Sequence, residues 1–154
     1  MRRPIGIVRI RVVERGRVVW EHEGRNLFVN AGRPALAALL GGDTTGEFAA
    51  AVGFGSGSAP PMVTDIALTA AAYYKALDSH SEDGNGSLTL NWSLTTADTG
   101  AQGITIQELA LFANHGSAAL PGTTAPTPML ARKTIAPIVF SAGMSISGTW
   151  TLTF

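Results

Sequence analysis

The side chains best suited to acid–base or metal chemistry are few in this sequence and lie far apart along it. The three histidines are His22, His80 and His115, and no two of them stand at a spacing typical of a shared metal site. The sequence has no cysteine, which excludes thiolate metal sites and cysteine nucleophiles. No serine lies in the Gly-x-Ser-x-Gly turn of a serine hydrolase. We therefore predict that the chain is not an enzyme and uses no metal or cofactor.

Two polar or glycine-rich runs have the composition, but not the spacing, of ligand-binding loops. Residues 53–58 (GFGSGS) lack the lysine of a P-loop, and Pro60 and Pro61 stand where the helix of such a loop should begin. A second run gathers oxygen atoms that could bind calcium, but it lacks the twelve-residue spacing and closing glutamate of an EF-hand. The residues of this second run are Ser79, Glu82, Asp83 and Asn85. Both runs are predicted to be surface loops.

Glu108 is the acid whose position most needs an explanation. It lies within residues 104–112 (ITIQELALF), an otherwise largely apolar segment. A carboxylate in such a place must be paired or hydrogen-bonded, whereas a catalytic glutamate needs a second acid nearby, and the sequence places none beside it. We predict that Arg132 or a backbone amide is the partner of Glu108.

The elements that position these side chains are predicted to be strands. Residues 5–13 and 17–23 alternate apolar and polar positions around a glycine turn, which is typical of a β-hairpin. Val18 and Trp20 continue the apolar face of this hairpin. Further strands are predicted at residues 48–54, 71–78, 88–94, 104–112, 129–135, 138–140 and 145–154. In the last of these, Ile146, Gly148, Trp150, Leu152 and Phe154 share one face.

One helix is predicted at residues 31–40, capped by Asn30 and ended by Gly41 and Gly42. Loops are predicted at residues 43–46, 79–87 and 114–116. The pattern as a whole predicts a single mostly β domain over residues 1–154. Its fold is expected to be an antiparallel β-sandwich, jelly-roll-like, with one short helix.

Charge is scarce and unevenly distributed. Charged residues make up 14% of the chain and the net charge is zero, so little repulsion opposes association. Residues 1–25 carry seven arginines and three glutamates, and this basic hairpin is expected to pack in the sandwich or to reach out as an arm. Arg9, Arg11 and Arg17 are predicted at subunit contacts, together with Glu108 and Arg132.

Other kinds of partner are not expected. The arginines of the hairpin alternate with isoleucine and valine rather than with exposed aromatic residues, so nucleic acid is not a predicted partner. No run of 18 apolar residues is present, so no membrane-spanning helix is predicted. Arg9 and Arg11 also interrupt the apolar core that a signal peptide would need. No small-molecule substrate is expected.

Several short motifs follow one another along residues 26–154. The first is residues 52–57 (VGFGSG), which contain Gly-x-Gly and are followed by Ala59 and Pro60. The others are Asp-x-x-Leu at 65–68, Glu-x-x-Leu-Phe within residues 106–112, and Trp-x-Leu-x-Phe at 150–154. Residues 26–33 (NLFVNAGR) and 129–132 (MLAR) accompany them. This set resembles the β-rich virion proteins of tailed bacteriophages, particularly the head-proximal modules of tail-collar and tail-fibre proteins.

The resemblance implies a structural component of a virion, assembled in the host bacterial cytoplasm through contacts with copies of itself and with other virion proteins. A symmetric oligomer is implied, and a tail, neck or collar, fibre or baseplate accessory is the expected part. Fibre proteins usually continue into a shaft or tip, so a capsid decoration (cement) protein stays an alternative. A carbohydrate-binding β-sandwich is another, and it requires a row of exposed aromatic side chains.

Overall fold

Antiparallel strands dominate the computed structural model, which describes residues 4–42, 48–113 and 119–154. The strands are β1 (Ile5–Glu14), β2 (Arg17–Phe28), β3 (Ala49–Gly55), β4 (Ala71–Ala76), β5 (Ser79–Glu82), β6 (Ser87–Leu94), β7 (Thr105–Ala113), β8 (Met129–Val139) and β9 (Met144–Thr153). They form one curled nine-stranded sheet in the order β4-β3-β7-β8-β2-β1-β9-β6-β5. A single α-helix, α1 (Arg33–Leu40), lies within the described residues. The prediction of a mostly β, antiparallel chain with one short helix is confirmed.

The sheet has two halves that meet at β2. This strand pairs with β1 along nearly its whole length but with β8 only at Leu27 and Phe28. The chain crosses from one half to the other again after β4. There the Leu77 amide donates to the Ala50 carbonyl of β3, and the next amide, that of Asp78, donates to the Asn91 carbonyl of β6 in the other half. The curl thus places the inner faces of β3, β7 and β8 against those of β1, β6 and β9.

The core between the halves is aromatic and aliphatic. Trp92 of β6 meets the edge of Phe54 of β3, with ring centroids 5.4 Å apart, and both side chains are buried. A Cβ atom on Gly148 would overlap the Trp92 ring, so β9 has a glycine where that ring lies across it. Phe154, predicted on the same face as Trp150 and Leu152, is 67% exposed while those two are buried, because β9 ends at Thr153.

The predicted N-terminal hairpin is present, with one difference in its second strand. β1 pairs with β2 on one side and with β9 on the other, so the hairpin is an integral part of the sheet. Val13 pairs with Val18, whereas Val12 pairs with Trp20, which leaves Val19 unpaired. This extra residue changes the face to which the preceding side chains point. As a result Val18 and Val19 are each 52% exposed, contrary to the prediction for Val18.

The sequence missed several element boundaries. Asn30 makes no side-chain cap and lies in a 3-10 turn, and α1 begins after Gly32 with a proline in its first turn. The strands predicted at residues 129–135 and 138–140 form one strand, since Pro137 falls where the pairing of β7 with β8 is irregular. Residues 79–82, predicted as loop, pair with β6 as β5. The predicted loop at 43–46 and the turn at 114–116 with His115 lie outside the described residues.

Candidate functional site

Glu108 is fully buried in β7, with an exposed fraction of 0%. Its carboxylate accepts hydrogen bonds from the backbone amides of Gly57 at 3.1 Å, Thr69 at 3.0 Å and Ala70 at 2.7 Å. All three donors belong to the segment that connects β3 with β4. The acid therefore ties this connection to the middle of the sheet.

Arg132 of β8 is the charged partner of Glu108, with an exposed fraction of 1%. Its Nε and Nη2 atoms donate to Oε2 of Glu108 at 3.0 and 2.7 Å, while Nη1 donates to Asp65 at 2.7 Å. Nη2 also donates to the Thr69 hydroxyl and to the Ala59 carbonyl. The predicted pairing of Glu108 with Arg132 and with backbone amides is confirmed. We call Glu108, Arg132, Asp65 and Thr69 the ion network.

The Arg132 guanidinium stays charged despite its burial, because two carboxylates bond to it. Removal from water by itself lowers the pKa of Arg132, but the hydrogen bonds to Asp65 and Glu108 outweigh this and raise the pKa above its ordinary value. The pKa of the neighbouring Tyr74 phenol is raised as well. Burial, and then the charge of Glu108, raise the pKa of Tyr74, so this phenol stays neutral beside the ion network.

The ion network fixes a long irregular connection, residues 56–70, which we call the bracing loop. These fifteen residues contain no helix or strand, a length at which loops are uncommon unless they have a function. Bonds to Gly57, Ala59, Asp65, Thr69 and Ala70 hold the loop along its length. The loop is also tied to the 3-10 turn that follows β2, because the Asn30 amide donates to the Val63 carbonyl.

Two glycines allow the carboxylate of Glu108 to approach the backbone so closely. A Cβ atom on Gly57 would lie 2.5 Å from Oε1 of Glu108, and one on Gly55 would lie 2.7 Å from the same oxygen. Real Cβ contacts do not come so close. The Gly-x-Gly spacing at residues 55–57 is therefore required by the buried acid and not by a phosphate.

Gly57→Ala should destabilise the chain by about 1–3 kcal/mol, because the added methyl group overpacks a site whose neighbours are held by hydrogen bonds. Urea denaturation measures the difference. The control is Ser58→Ala at the next position, which is exposed, and its effect should stay within about 0.5 kcal/mol. Equal effects at the two positions would contradict the close approach of Glu108 to Gly57.

The outer side of the bracing loop carries apolar side chains. Met62 is 59% exposed and Ile66 is 75% exposed, while Leu68, two residues later, is buried in the core. Asp65 lies between them, where it accepts the Met62 amide at 2.8 Å and pairs with Arg132. These two contacts of Asp65 hold the backbone that carries Met62 and Ile66 in place.

The other predicted site residues lie elsewhere on the molecule. Arg9 pairs with Glu23 at 2.7 Å and Arg11 pairs with Glu21 at 2.8 Å, and all four side chains are more than half exposed. Arg17 is exposed and forms no ion pair with any residue that the structure describes. Glu108 and Arg132, predicted at subunit contacts, are buried with their polar groups bonded inside the chain, so neither is presented at the surface.

The polar outer face of the sheet has a shallow groove beside these arginines. Its lining includes Arg9, Arg11, Glu21, Glu23, Asp78 and Asn91. His22 stacks on Trp20, and burial together with the charge of Lys133 lowers the pKa of His22.

Over residues 4–42, 48–113 and 119–154, no three histidine or acidic side chains gather as metal ligands.

The tyrosine and tryptophan side chains do not form the exposed row that a carbohydrate-binding surface requires. Tyr73, Tyr74, Trp92 and Trp150 have exposed fractions of 4% or less, and they belong to the core. Trp20 is half-buried against His22. The tyrosine hydroxyl of Tyr73 bonds to Asp98, and burial followed by the charge of Asp98 raises the pKa of Tyr73 to about 12.

Part of this site could not be found from the sequence. Asp65 and Thr69 were not singled out, because each meets Arg132 across more than sixty residues of chain. The available signal was the Asp-x-x-Leu motif, in which the buried leucine fixes the loop and the aspartate faces the guanidinium.

In the described part of the chain, no helix has the length and apolar character needed to cross a membrane.

No family model, curated protein or solved structure matches this chain. Its function must therefore be inferred from its own residues.

Proposed function

We propose that this chain is a non-enzymatic structural component of a tailed-bacteriophage virion. It works by contacts with copies of itself and with other virion proteins, as a tail, neck or collar, fibre or baseplate accessory. One observation carries the proposal: three of the short motifs that resemble phage tail-collar and tail-fibre proteins meet in space at the ion network, together with the segment at residues 129–132.

The meeting of the motifs accounts for their spacing in physical terms. The Gly-x-Gly motif supplies Gly57, the Asp-x-x-Leu motif supplies Asp65, and the Glu-x-x-Leu-Phe motif supplies Glu108. The segment at residues 129–132 supplies Arg132, which bonds to both acids. Motifs that are far apart in the sequence thus contribute to one cluster of contacts. We propose that this cluster holds the bracing loop in a single conformation.

The chemistry of the ion network favours a structural role over a catalytic one. Both carboxylate oxygens of Glu108 accept hydrogen bonds, and every guanidinium nitrogen of Arg132 donates one. A general base must have a lone pair free for a substrate proton, and these groups are already engaged inside the fold. What they present to the outside is a fixed loop with Met62 and Ile66 exposed.

A fixed loop with apolar side chains is suited to binding another protein. Burying apolar surface drives association, and a surface that is already ordered loses less conformational freedom on binding. We further propose that the two halves of the curled sheet act as the layers of a jelly-roll-like sandwich. The contact of Phe54 with Trp92 between the halves supports this, and such a rigid body would hold the bracing loop at a constant position.

The proposal is tested in virions purified from the phage that encodes this chain. Immunogold labelling with an antibody against the chain should mark the tail, the neck or the baseplate at a constant copy number. Labelling spread over the head would assign the capsid decoration alternative instead. Purified particles without the chain would refute a structural role in the virion.

The double variant Met62→Asp with Ile66→Asp should prevent incorporation into particles, because it places charge on the apolar face of the bracing loop. The measurement is the amount of tagged variant recovered in purified virions after expression during infection. Leu40→Asp is the control, since Leu40 is 84% exposed and lies outside the loop. Incorporation of the double variant at the level of the control would contradict the role of the loop.

A further inference from the structure

The turn of the β1–β2 hairpin is a basic surface with apolar neighbours. Arg15 and Gly16 both have positive φ, 50° and 76°, so the two-residue turn displays its side chain away from the sheet. Arg15 and Arg17 are exposed and form no ion pair with any described residue. Val18 and Val19, which follow, are each 52% exposed. We call Arg15, Arg17, Val18 and Val19 the basic tip.

The turn of the β5–β6 hairpin has the opposite charge. Glu82 and Asp83 are exposed, and within the described residues neither is part of an ion pair. Asp83 accepts the backbone amides of Asn85 at 2.7 Å and Ser87 at 2.9 Å. These hydrogen bonds, first that of Ser87, lower the pKa of Asp83 and keep it charged. We call Glu82 and Asp83 the acidic tip.

The strand register places the two tips at opposite corners of one half of the sheet. Glu14, beside the basic tip, pairs with Met144 at the start of β9, whereas Ser87, beside the acidic tip, pairs with Thr153 at its end. Across the strands, β2 and β5 lie at opposite sides of the order β2-β1-β9-β6-β5. The separation is about 30 Å along ten residues of strand and about 19 Å across four strand spacings.

Charges so far apart cannot neutralise each other within one molecule. The screening length at physiological ionic strength is about 8 Å, several times shorter than the distance between the tips. In the described part of the chain neither tip forms an ion pair, although Glu14 lies across the hairpin from Arg17. Each tip therefore keeps charge that a second molecule can pair. The chain as a whole has no net charge, so no long-range repulsion between copies opposes their approach.

We propose that the basic tip of one copy docks on the acidic tip of a second copy, so that copies associate head to tail. This inference rests on the proposed structural function and names one of its partners. The contact is between two different surfaces, so repetition produces a ring when the rotation closes and a filament when it does not. The charges set orientation and association rate, while Val18 and Val19 supply apolar surface to bury.

Charge reversal at each tip tests the docking. The first variant, Arg15→Asp with Arg17→Glu, makes the basic tip acidic, and aspartate tolerates the positive φ at residue 15. The second variant, Glu82→Lys with Asp83→Asn, makes the acidic tip basic and keeps a side-chain oxygen to accept the turn amides. The control, Arg25→Asp with Arg33→Glu, changes charge by the same amount as the first variant at exposed positions away from both tips.

Light scattering across a concentration series, at low and at high salt, measures association. The wild-type chain should grow beyond the 16.0 kDa monomer, more strongly at low salt, and the control should behave likewise. Each tip variant alone should associate at least about tenfold more weakly, because like charges then meet. Mixing the two tip variants should restore association, since each then offers the charge that the other needs.

Three results would each overturn the head-to-tail docking. One is a wild-type chain that stays monomeric at every concentration and salt, and another is a tip variant that associates as strongly as the control. A mixture that fails to associate would overturn it as well. None of these results decides the proposed function, which depends separately on whether the chain is found in virions. Unchanged circular dichroism of the variants establishes that they are folded.

Discussion

Replacing Arg132 with methionine should lower the free energy of unfolding by about 3–5 kcal/mol, the usual effect of removing one partner from a buried ion pair. Methionine keeps much of the side-chain length but donates no hydrogen bond. Glu108 then stays buried with a negative charge that no cation balances, and Asp65 loses its partner as well. Urea denaturation followed by tryptophan fluorescence measures the change.

The matched control is Arg9→Met, the same substitution at the exposed pair that Arg9 forms with Glu23. Its effect should be about 0–1 kcal/mol, because exposed ion pairs contribute little. A loss at Arg132 no larger than the loss at Arg9 would mean that the ion network does not stabilise the fold. Adding Glu108→Leu to Arg132→Met should not restore stability, since the amides of Gly57, Thr69 and Ala70 would then lose their acceptor.

Trp92→Ala should also cost about 3–5 kcal/mol, because it leaves a large cavity between the two halves of the sheet. The ring contacts Phe54 of the opposite half and fills the space above Gly148. Thermal unfolding and urea denaturation should both report the loss. The indole Nε1 atom is buried without a hydrogen-bond partner among the described residues, so Trp92→Phe should retain most of the stability that alanine loses.

Trp20→Ala serves as the comparison for Trp92→Ala. Trp20 is half-buried and stacks on His22 at one side of the sheet, so its removal should have a distinctly smaller effect. If the two alanine variants were equally stable, the contact between the halves through Trp92 could not be a main support of the fold. A Trp92→Phe variant as unstable as Trp92→Ala would show that the indole contributes through more than its apolar surface.

The sequence was sufficient for most of the strands and for the central acid of the site. Alternation identified the β1–β2 hairpin and the strand of Trp92, because these strands bury one face more than the other. The strand of Glu108 was identified from its apolar run, since it is buried on both faces from Glu108 to Ala113. The partner of Glu108 could also be inferred, since a buried carboxylate needs a cation or a donor and Arg132 lies in a similarly apolar segment. Local pattern and the rules of burial were enough for these features.

Features that depend on distant contacts could not be read from the pattern. The extra residue at Val19 arises only when β2 is aligned with β1, and a periodic sequence does not reveal such an irregularity. Asp65 and Thr69 join the ion network from a loop without any periodicity. Their role becomes visible only after the fold brings β8 beneath that loop. The burial of Arg132, predicted at a subunit contact, has the same origin.

The place of β9 in the sheet has a consequence for the order of events after synthesis. β9 lies between β1 and β6, and its residue Thr153 pairs with Ile5 almost one hundred and fifty residues earlier. Pairings between such distant parts of a chain are slow to form, because a large loop must first close. Until β9 emerges and inserts, β1 and β6 each keep an open edge at which other chains can aggregate. Folding of this half should therefore finish only after β9 has been synthesised, and the need for chaperones should be greatest before that point.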